Sequence, residues 1–189
     1  MTSYSLLKKV ISGGQVGADI AGLRAAKHCG IETGGWAPPG FLTQKGPNPK
    51  LGTIYHLKEI AKSRKNGYVE RSKKNVDDSG GTIAFKIKNS AGTGKTIGYA
   101  LSHQWRYPKE KELQNDFEPF RPVIIVNPYI DTDAEIERVI LFILEHNIET
   151  LNICGHGEGV DDLEKWEQSV FNFLVKVYEE LKKGFSGAR

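Results

Sequence analysis

Cysteine is nearly absent from this chain: 2 of 189 residues, too few for a disulfide framework and better suited to a reducing compartment. Methionine occurs once, and the charges almost cancel, with 26 Lys+Arg against 23 Asp+Glu leaving +3. With the two signs interspersed, that surplus argues little for nucleic acid as a partner. Also missing is any uncharged apolar run near the roughly 18 residues that a membrane span requires. The N-terminal stretch meets Lys8 and Lys9, then glycine, glutamine and aspartate, so it carries no secretory apolar core. These shortages lead to the expectation of a cytoplasmic protein without a membrane partner. What remains is ordinary globular composition, 39% hydrophobic and 26% charged. The length suits one domain, 1–189, large enough for a substantial core. Glycine is in excess: 21 of 189 residues, or 11%, against a background of roughly 7%.

The apolar run 6–11 predicts a first strand ending in Ser12-Gly13-Gly14-Gln15-Val16-Gly17, followed by a helix over 18–28 with Gly30 as its stop. A short strand is expected within 31–39, then a Gly/Pro-rich loop through Gly52 that could act as a lid, then a short helix or turn over 56–62. Local signals are poor over 66–79. A β-rich run over 81–87 leads into the second glycine cluster, 90–94, and a helix over 95–104. The charged, proline-bearing stretch 106–120 reads as a surface insertion. Continuous apolar runs at 122–126 and 150–154 have the character of strands buried on both faces. Thr132 and Glu135 form a capping box for a helix over 133–147. The last helix, over 162–183, aligns Trp166, Val170, Phe173, Val177 and Leu181 on one stripe.

Short apolar strands alternating with helices argue for an α/β fold: a Rossmann-like, doubly wound, mainly parallel sheet with helices on both faces. Such sheets bind ligands at the carboxyl ends of their strands. Three glycine clusters fall at predicted strand ends: 13–17, 92–94 and 155–159. Exposed main-chain N–H groups and helix dipoles there favour an anion, so the physical inference is a small phosphorylated ligand.

Individually, the motifs say less. Ser12 stands where a dinucleotide fingerprint has its first glycine, and such a near-match also occurs in any tight strand-to-helix turn. Ser12 and Gln15 add polar side chains to that loop, whereas a carboxylate at Asp19 is expected from the helix dipole alone. The run Asn-Ser-Ala-Gly-Thr-Gly-Lys-Thr at 89–96 lacks the first glycine of a P-loop, yet Gly92, Thr93, Gly94 and Thr96 make a phosphate cradle. Trp36, beside Gly34 and Gly35, could stack on a planar ring. His156 and Glu158 have no metal-ligand spacing and read as crevice lining, and Cys154 and Cys29 read as small buried hydrophobes. No G-x-S-x-G elbow supports a serine hydrolase.

Taken in order, the blocks resemble a known family. The run Ile11-Ser12-Gly13-Gly14-Gln15-Val16-Gly17-Ala18-Asp19 is similar to the opening of the molybdenum carrier family, the molybdenum cofactor carrier proteins. Gly34-Gly35-Trp36-Ala37-Pro38 resembles its next block; Tyr68, Arg71, Asn75-Val76, Asp78-Ser79 and Gly81-Thr82-Ile83 match a further one. Gly92-Thr93 with Thr96, and Leu151-Asn152-Ile153-Cys154-Gly155, complete the series over most of the chain. The resemblance implies a Rossmann-like fold related to the LOG and lysine-decarboxylase-like proteins, and a homo-oligomer, dimer or tetramer. It implies a non-catalytic carrier of molybdenum cofactor (a pterin dithiolene with a terminal phosphate), whose partners are molybdenum-cofactor-dependent enzymes or insertases. The residues it carries to the phosphate and pterin site are Ser12, Gly13, Gly14, Gln15, Gly17, Arg71, Asn75, Asp78, Gly92, Thr93, Thr96 and Gly155. This chain has Gly155-His156-Gly157 where the family has a glycine-proline-arginine corner, which leaves His156 or a lysine to substitute. The alternatives are a LOG-type nucleoside 5′-monophosphate phosphoribohydrolase and a nucleotide-sensing module. Against the former, no acid follows the loop 92–98 within a turn; Glu70 or Asp78 would have to act.

Overall fold

The computed structural model describes residues 7–61, 67–88, 91–105, 121–130, 132–157 and 159–184. The expected insertion 106–120 and Glu158 lie outside them.

Strand β1 (Lys9–Ser12) leads into helix α1 (Ala18–His28), whose chain turns at Gly30 (φ +66°) into β2 (Glu32–Gly34). A compact excursion follows: β3 (Trp36–Ala37), a 3-10 turn at Pro39–Phe41, β4 (Leu42–Thr43), β5 (Gly46–Pro47), α2 (Lys50–Tyr55) and β6 (Lys58–Glu59). Then come α3 (Gly67–Asp77), β7 (Gly81–Phe85), α4 (Ala91–Trp105), β8 (Val123–Val126), α5 (Asp133–Glu145), β9 (Thr150–Gly155) and α6 (Leu163–Lys183).

The main sheet has the order β2-β1-β9-β7-β8, and all its pairings are parallel. Its last strand in the chain, β9, therefore lies at the centre, with Ile11 opposite Asn152 and Ala84 opposite Cys154. The carboxyl ends of β1, β9 and β7 stand side by side, which gathers the three glycine-bearing loops on one edge. Alternation along the strands assigns the faces. Ile83, Phe85, Leu151 and Ile153 join α1, α5 and α6 in one large core with Trp166, Phe173 and Val177. Ala84 and Cys154 meet Ile97 of α4 on the other face. This is the Rossmann-like α/β arrangement expected from the short apolar runs, and β7 is buried at all five positions.

The helix N-terminal caps follow local chemistry. The Thr132 hydroxyl accepts from the Glu135 N–H at 3.2 Å, and the Asp162 carboxylate accepts from the Lys165 N–H at 3.0 Å. The reciprocal half of the expected capping box is replaced: the Glu135 carboxylate accepts from Arg138 instead, at 2.8 and 2.5 Å.

Three stretches differ from the local reading. The Gly/Pro-rich segment is no open loop: β3 pairs with β6 in parallel, and β4 with β5 in a hairpin. The helix expected over 56–62 sits earlier, at Lys50–Tyr55, because Pro49 suits a helix start and His56 ends it in a left-handed turn (φ +59°). The polar stretch 66–79 holds α3, fastened by a long-range contact. Asn75 accepts from the Trp36 N–H at 2.8 Å and donates to the Trp36 carbonyl at 3.1 Å. Tertiary contact overrides weak propensity here. Among the described residues, no helix is long and apolar enough to cross a membrane.

Candidate functional site

A cavity of about 550 Å³ opens on the carboxyl edge of the sheet. Gln15, Val16 and Asp19 line it from the start of α1, Cys154, Gly155 and Gly157 from the end of β9, and Gly92, Thr93, Lys95 and Thr96 from the first turns of α4. Arg71 and Lys73 of α3 close one side, and Tyr68 and Tyr99 flank it.

The centre of the cavity wall is an ion pair. Arg71 Nη1 donates to Asp19 Oδ2 at 3.0 Å, with both side chains largely buried. Burial raises the Asp19 carboxyl above its ordinary value, against the opposing pull of the guanidinium and of hydrogen bonds from Gln15 and Gly13. Gly13 makes the pair possible by having no side chain: a Cβ there would lie 1.4 Å from Arg71 Nη1. Asp19 thus anchors the arginine over the loop, a role beyond complementing the helix dipole. Nothing local signals this pair, because its members are 52 residues apart.

The N-terminus of α1 is filled by the chain itself. The Gly17 N–H donates to the Glu167 carboxylate of α6 at 2.8 Å, and the Ala18 N–H donates to the His156 carbonyl at 3.0 Å. Gly17 has φ +88°, and a Cβ there would lie 2.2 Å from the His156 carbonyl oxygen. Gly14 is walled in by Leu51 and Leu57. At α4 the opposite holds: a Cβ on Gly92 or Gly94 would meet nothing within 4 Å. Thr96, 7% exposed, donates through its hydroxyl to the Gly92 carbonyl at 3.4 Å.

Of the residues singled out from the sequence, Gln15, Arg71, Gly92, Thr93, Thr96 and Gly155 line the cavity together. Ser12 is fully buried beneath it, its hydroxyl donating to the Ile153 carbonyl at 2.8 Å. Gly13, Gly14 and Gly17 shape the loop from behind, and Gly94 is exposed on α4 without lining the space. His156 is packed against Trp166 and accepts the Lys88 N–H on Nε2 at 3.2 Å; burial lowers its pKa below the ordinary histidine value. Trp36, Asn75 and Asp78 form a separate cluster. The Trp36 Nε1–H donates to Asp78 at 2.6 Å, Lys74 lies 4.2 Å from the ring centre, and Trp36 and Asp78 line a smaller depression with Lys9, His56 and Lys58.

The structure adds Lys73, Tyr99 and Gln44 at the flanks, which no motif singled out, and places Tyr68 and Cys154, named above but not among the site residues, in the lining as well. Burial raises the Cys154 thiol well above its ordinary value, so it is neutral at neutral pH. Their signal was positional rather than local: they share an edge only because β9 is inserted between β1 and β7. Among the described residues, no group of three or more His, Cys, Asp or Glu side chains could hold a metal ion.

Comparison with known proteins adds three findings. A comparison with curated protein sequences gave no match. The crystal structure of a protein named "Putative molybdenum carrier protein", from Syntrophus aciditrophicus SB, is similar over 92% of this chain and 95% of its own, at 29% identity and a TM-score of 0.69. Residues 10–177 match the model of the circularly permutated YpsA SLOG family, a permutation in keeping with the last strand lying at the centre of the sheet. By that match over most of its length, this chain belongs to the circularly permutated YpsA SLOG family.

Proposed function

We propose that this chain is a cytoplasmic, homo-oligomeric carrier that binds molybdenum cofactor, shelters it and hands it to molybdenum enzymes or insertases. The observation that carries the reading is the charge and shape of the cavity. Its described lining holds three cations, Arg71, Lys73 and Lys95, against one carboxylate, Asp19, and the N-terminus of α4 faces the same space. A terminal phosphate suits the α4 end, where the glycines open onto free space and the helix dipole favours an anion. Lys73 and Lys95 add charge there. The Asp19–Arg71 pair holds the wall in place. Cofactor binding would leave the metal on the cofactor's own sulfurs, since the neutral Cys154 thiol is a poor ligand at this pH. The molybdenum carrier name of the similar crystal structure supports this cargo.

Binding is favoured over phosphoribohydrolase turnover by the placement of the acids. Asp19 is tied to Arg71; Asp78 bonds Trp36, and Glu70 lines a different depression. A general acid or base needs to reach the reacting group. The test is to load purified protein with molybdenum cofactor under anaerobic conditions, then measure affinity and the cofactor's lifetime in air. Saturable binding with a lengthened lifetime is expected. No saturation and no protection, or release of free base from AMP, would overturn the reading.

A further inference from the structure

One residue ties together the connections that border the cavity. The His156 main-chain N–H donates to the Phe85 carbonyl at the end of β7, at 3.1 Å. Its carbonyl accepts from the Ala18 N–H of α1 at 3.0 Å and from the Trp166 Nε1–H of α6 at 2.8 Å. Its ring reaches the connection between β7 and α4, where Nε2 accepts from the Lys88 N–H at 3.2 Å. The flanking Gly155 and Gly157 line the cavity, whereas the His156 ring packs on Trp166 and takes no part in that lining. The corner has little slack: a Cβ on Gly155 would lie 2.5 Å from the Phe85 carbonyl oxygen, and one on Gly157 2.8 Å from that of Val16.

Of these bonds, only the one to Lys88 depends on a titratable group. Nε2 accepts while the imidazole is neutral with its proton on Nδ1; a second proton makes Nε2 a donor that faces another donor. Charging a ring that is 3% exposed is also unfavourable without an acceptor, so ring and connection are driven apart to admit water. The surrounding charges add to this push. Lys86 and Lys88 stand on the same connection, and Lys88 is drawn to Asp161 at 3.7 Å, on the far side of β9. The carboxylates of the packed elements are already bonded elsewhere: Asp19 to Arg71, Glu167 to the Gly17 N–H, Asp162 to the Lys165 N–H. Lys88 stands three residues before Ala91, where α4 begins, and such a stretch spans at most about 11 Å. A displacement at Lys88 therefore reaches the helix start that faces the cavity.

We propose that His156 is a positioning residue for the anion end: its neutral ring latches the connection that leads into α4, and protonation of the ring frees that connection and weakens anion binding. The assignment rests on the reading that α4 holds the anion. It makes release of the cargo a response to acid. That direction is opposite to simple electrostatics, since a chain that gains positive charge as pH falls should hold an anion more tightly.

The test follows the full chain from about pH 7.5 down to about pH 5, a range that spans the ordinary histidine value. Sulfate is the probe, because its charge is constant over that range. Calorimetry is expected to show sulfate affinity falling about fivefold with acid, on the scale of one hydrogen bond. Hydrogen exchange read by NMR should show the Lys88 amide losing protection, relative to its intrinsic rate, over the same window. His156→Gln keeps an acceptor near the Lys88 N–H and leaves the other four histidines in place, so its sulfate affinity should not fall with acid. Wild-type affinity that holds or rises as pH falls overturns the proposal and leaves the anion end at α4 standing. An equal fall in folded His156→Gln overturns it too, as does a Lys88 amide whose protection does not change. No sulfate binding at any pH, with Lys88 protection still lost in acid, rejects the anion end and its regulation while the latch itself stands.

Discussion

The two glycine-bearing helix starts, at α1 and α4, look alike as sequence and are opposite as surfaces. Each follows a strand of the central sheet, and each presents the N-terminal end of a helix to the same edge. At α1 the Glu167 carboxylate already occupies the Gly17 N–H, and Arg71 lies across Gly13. At α4 the glycines face open space beside Lys95 and Thr96. The first loop is thus a structural joint whose anion is supplied by the protein, and the second is available to an anion from outside. A glycine-rich turn signals a close approach; only the surrounding chain decides what approaches.

The comparison can be broken most severely at Arg71. Arg71→Met leaves the Asp19 carboxylate buried without its partner, and stability is expected to fall by roughly 3 kcal/mol, the scale for breaking a buried pair. Restoring part of it with Asp19→Asn in the same chain, followed by urea unfolding, checks that the loss comes from the stranded charge. Full stability in the single variant would mean that the joint does not depend on the pair.

A smaller effect separates the two helix starts directly. Glu167→Gln weakens a charge-assisted hydrogen bond at the α1 N-terminus and should cost about 1 kcal/mol of stability. Phosphate affinity, read by calorimetry, should be unchanged. Lys95→Ala should do the opposite, lowering phosphate affinity about threefold, on the scale of one solvated ion pair, at unchanged stability. If Glu167→Gln weakened phosphate binding instead, α1 would be the anion site.

The mildest test concerns the corner where β9 meets α1. Burial lowers the His156 pKa, so the unfolded chain takes up a proton at higher pH than the folded one. The stability associated with neutral His156 is present above the ordinary histidine value of 6.5 and is lost as pH falls through the lowered one. Unfolding midpoints for the wild type should drop across that window, and those for His156→Gln should drop less. Parallel curves would remove His156 from the account of that corner.

Much of the fold was legible locally. The runs that became β7 and β9 are largely apolar because both faces of a central parallel strand are covered, whereas β8, also expected to be buried on both faces, lies at the sheet edge and leaves Ile125 exposed. The stripe of Trp166, Val170, Phe173, Val177 and Leu181 marked the buried side of α6, and every member is buried. What local reading missed depended on distant partners: α3 is fastened through Asn75 to Trp36, and the Gly/Pro-rich segment is ordered by pairing of β3 with β6. The site was legible in the same uneven way. Gly92, Thr93 and Thr96 drew attention through their spacing and line the cavity, whereas Lys73 and Tyr99 entered it only through topology.

By itself, the sequence determined the class of fold, the order of the main-sheet strands with helices α1, α4, α5 and α6, and the placement of glycines at strand ends. These are properties of short stretches, where apolar periodicity and backbone freedom act over a few residues. The tertiary structure decided which of those glycines are answered by the protein itself and which face open space. Inserting the last strand between β1 and β7 brought Gly155 and Cys154 beside Gln15, and the packing of α6 carried Glu167 to the Gly17 N–H. Whether a main-chain N–H is left open or answered by the protein depends on what lies within 3 Å of it, and for Gly17 a carboxylate 150 residues away decides that.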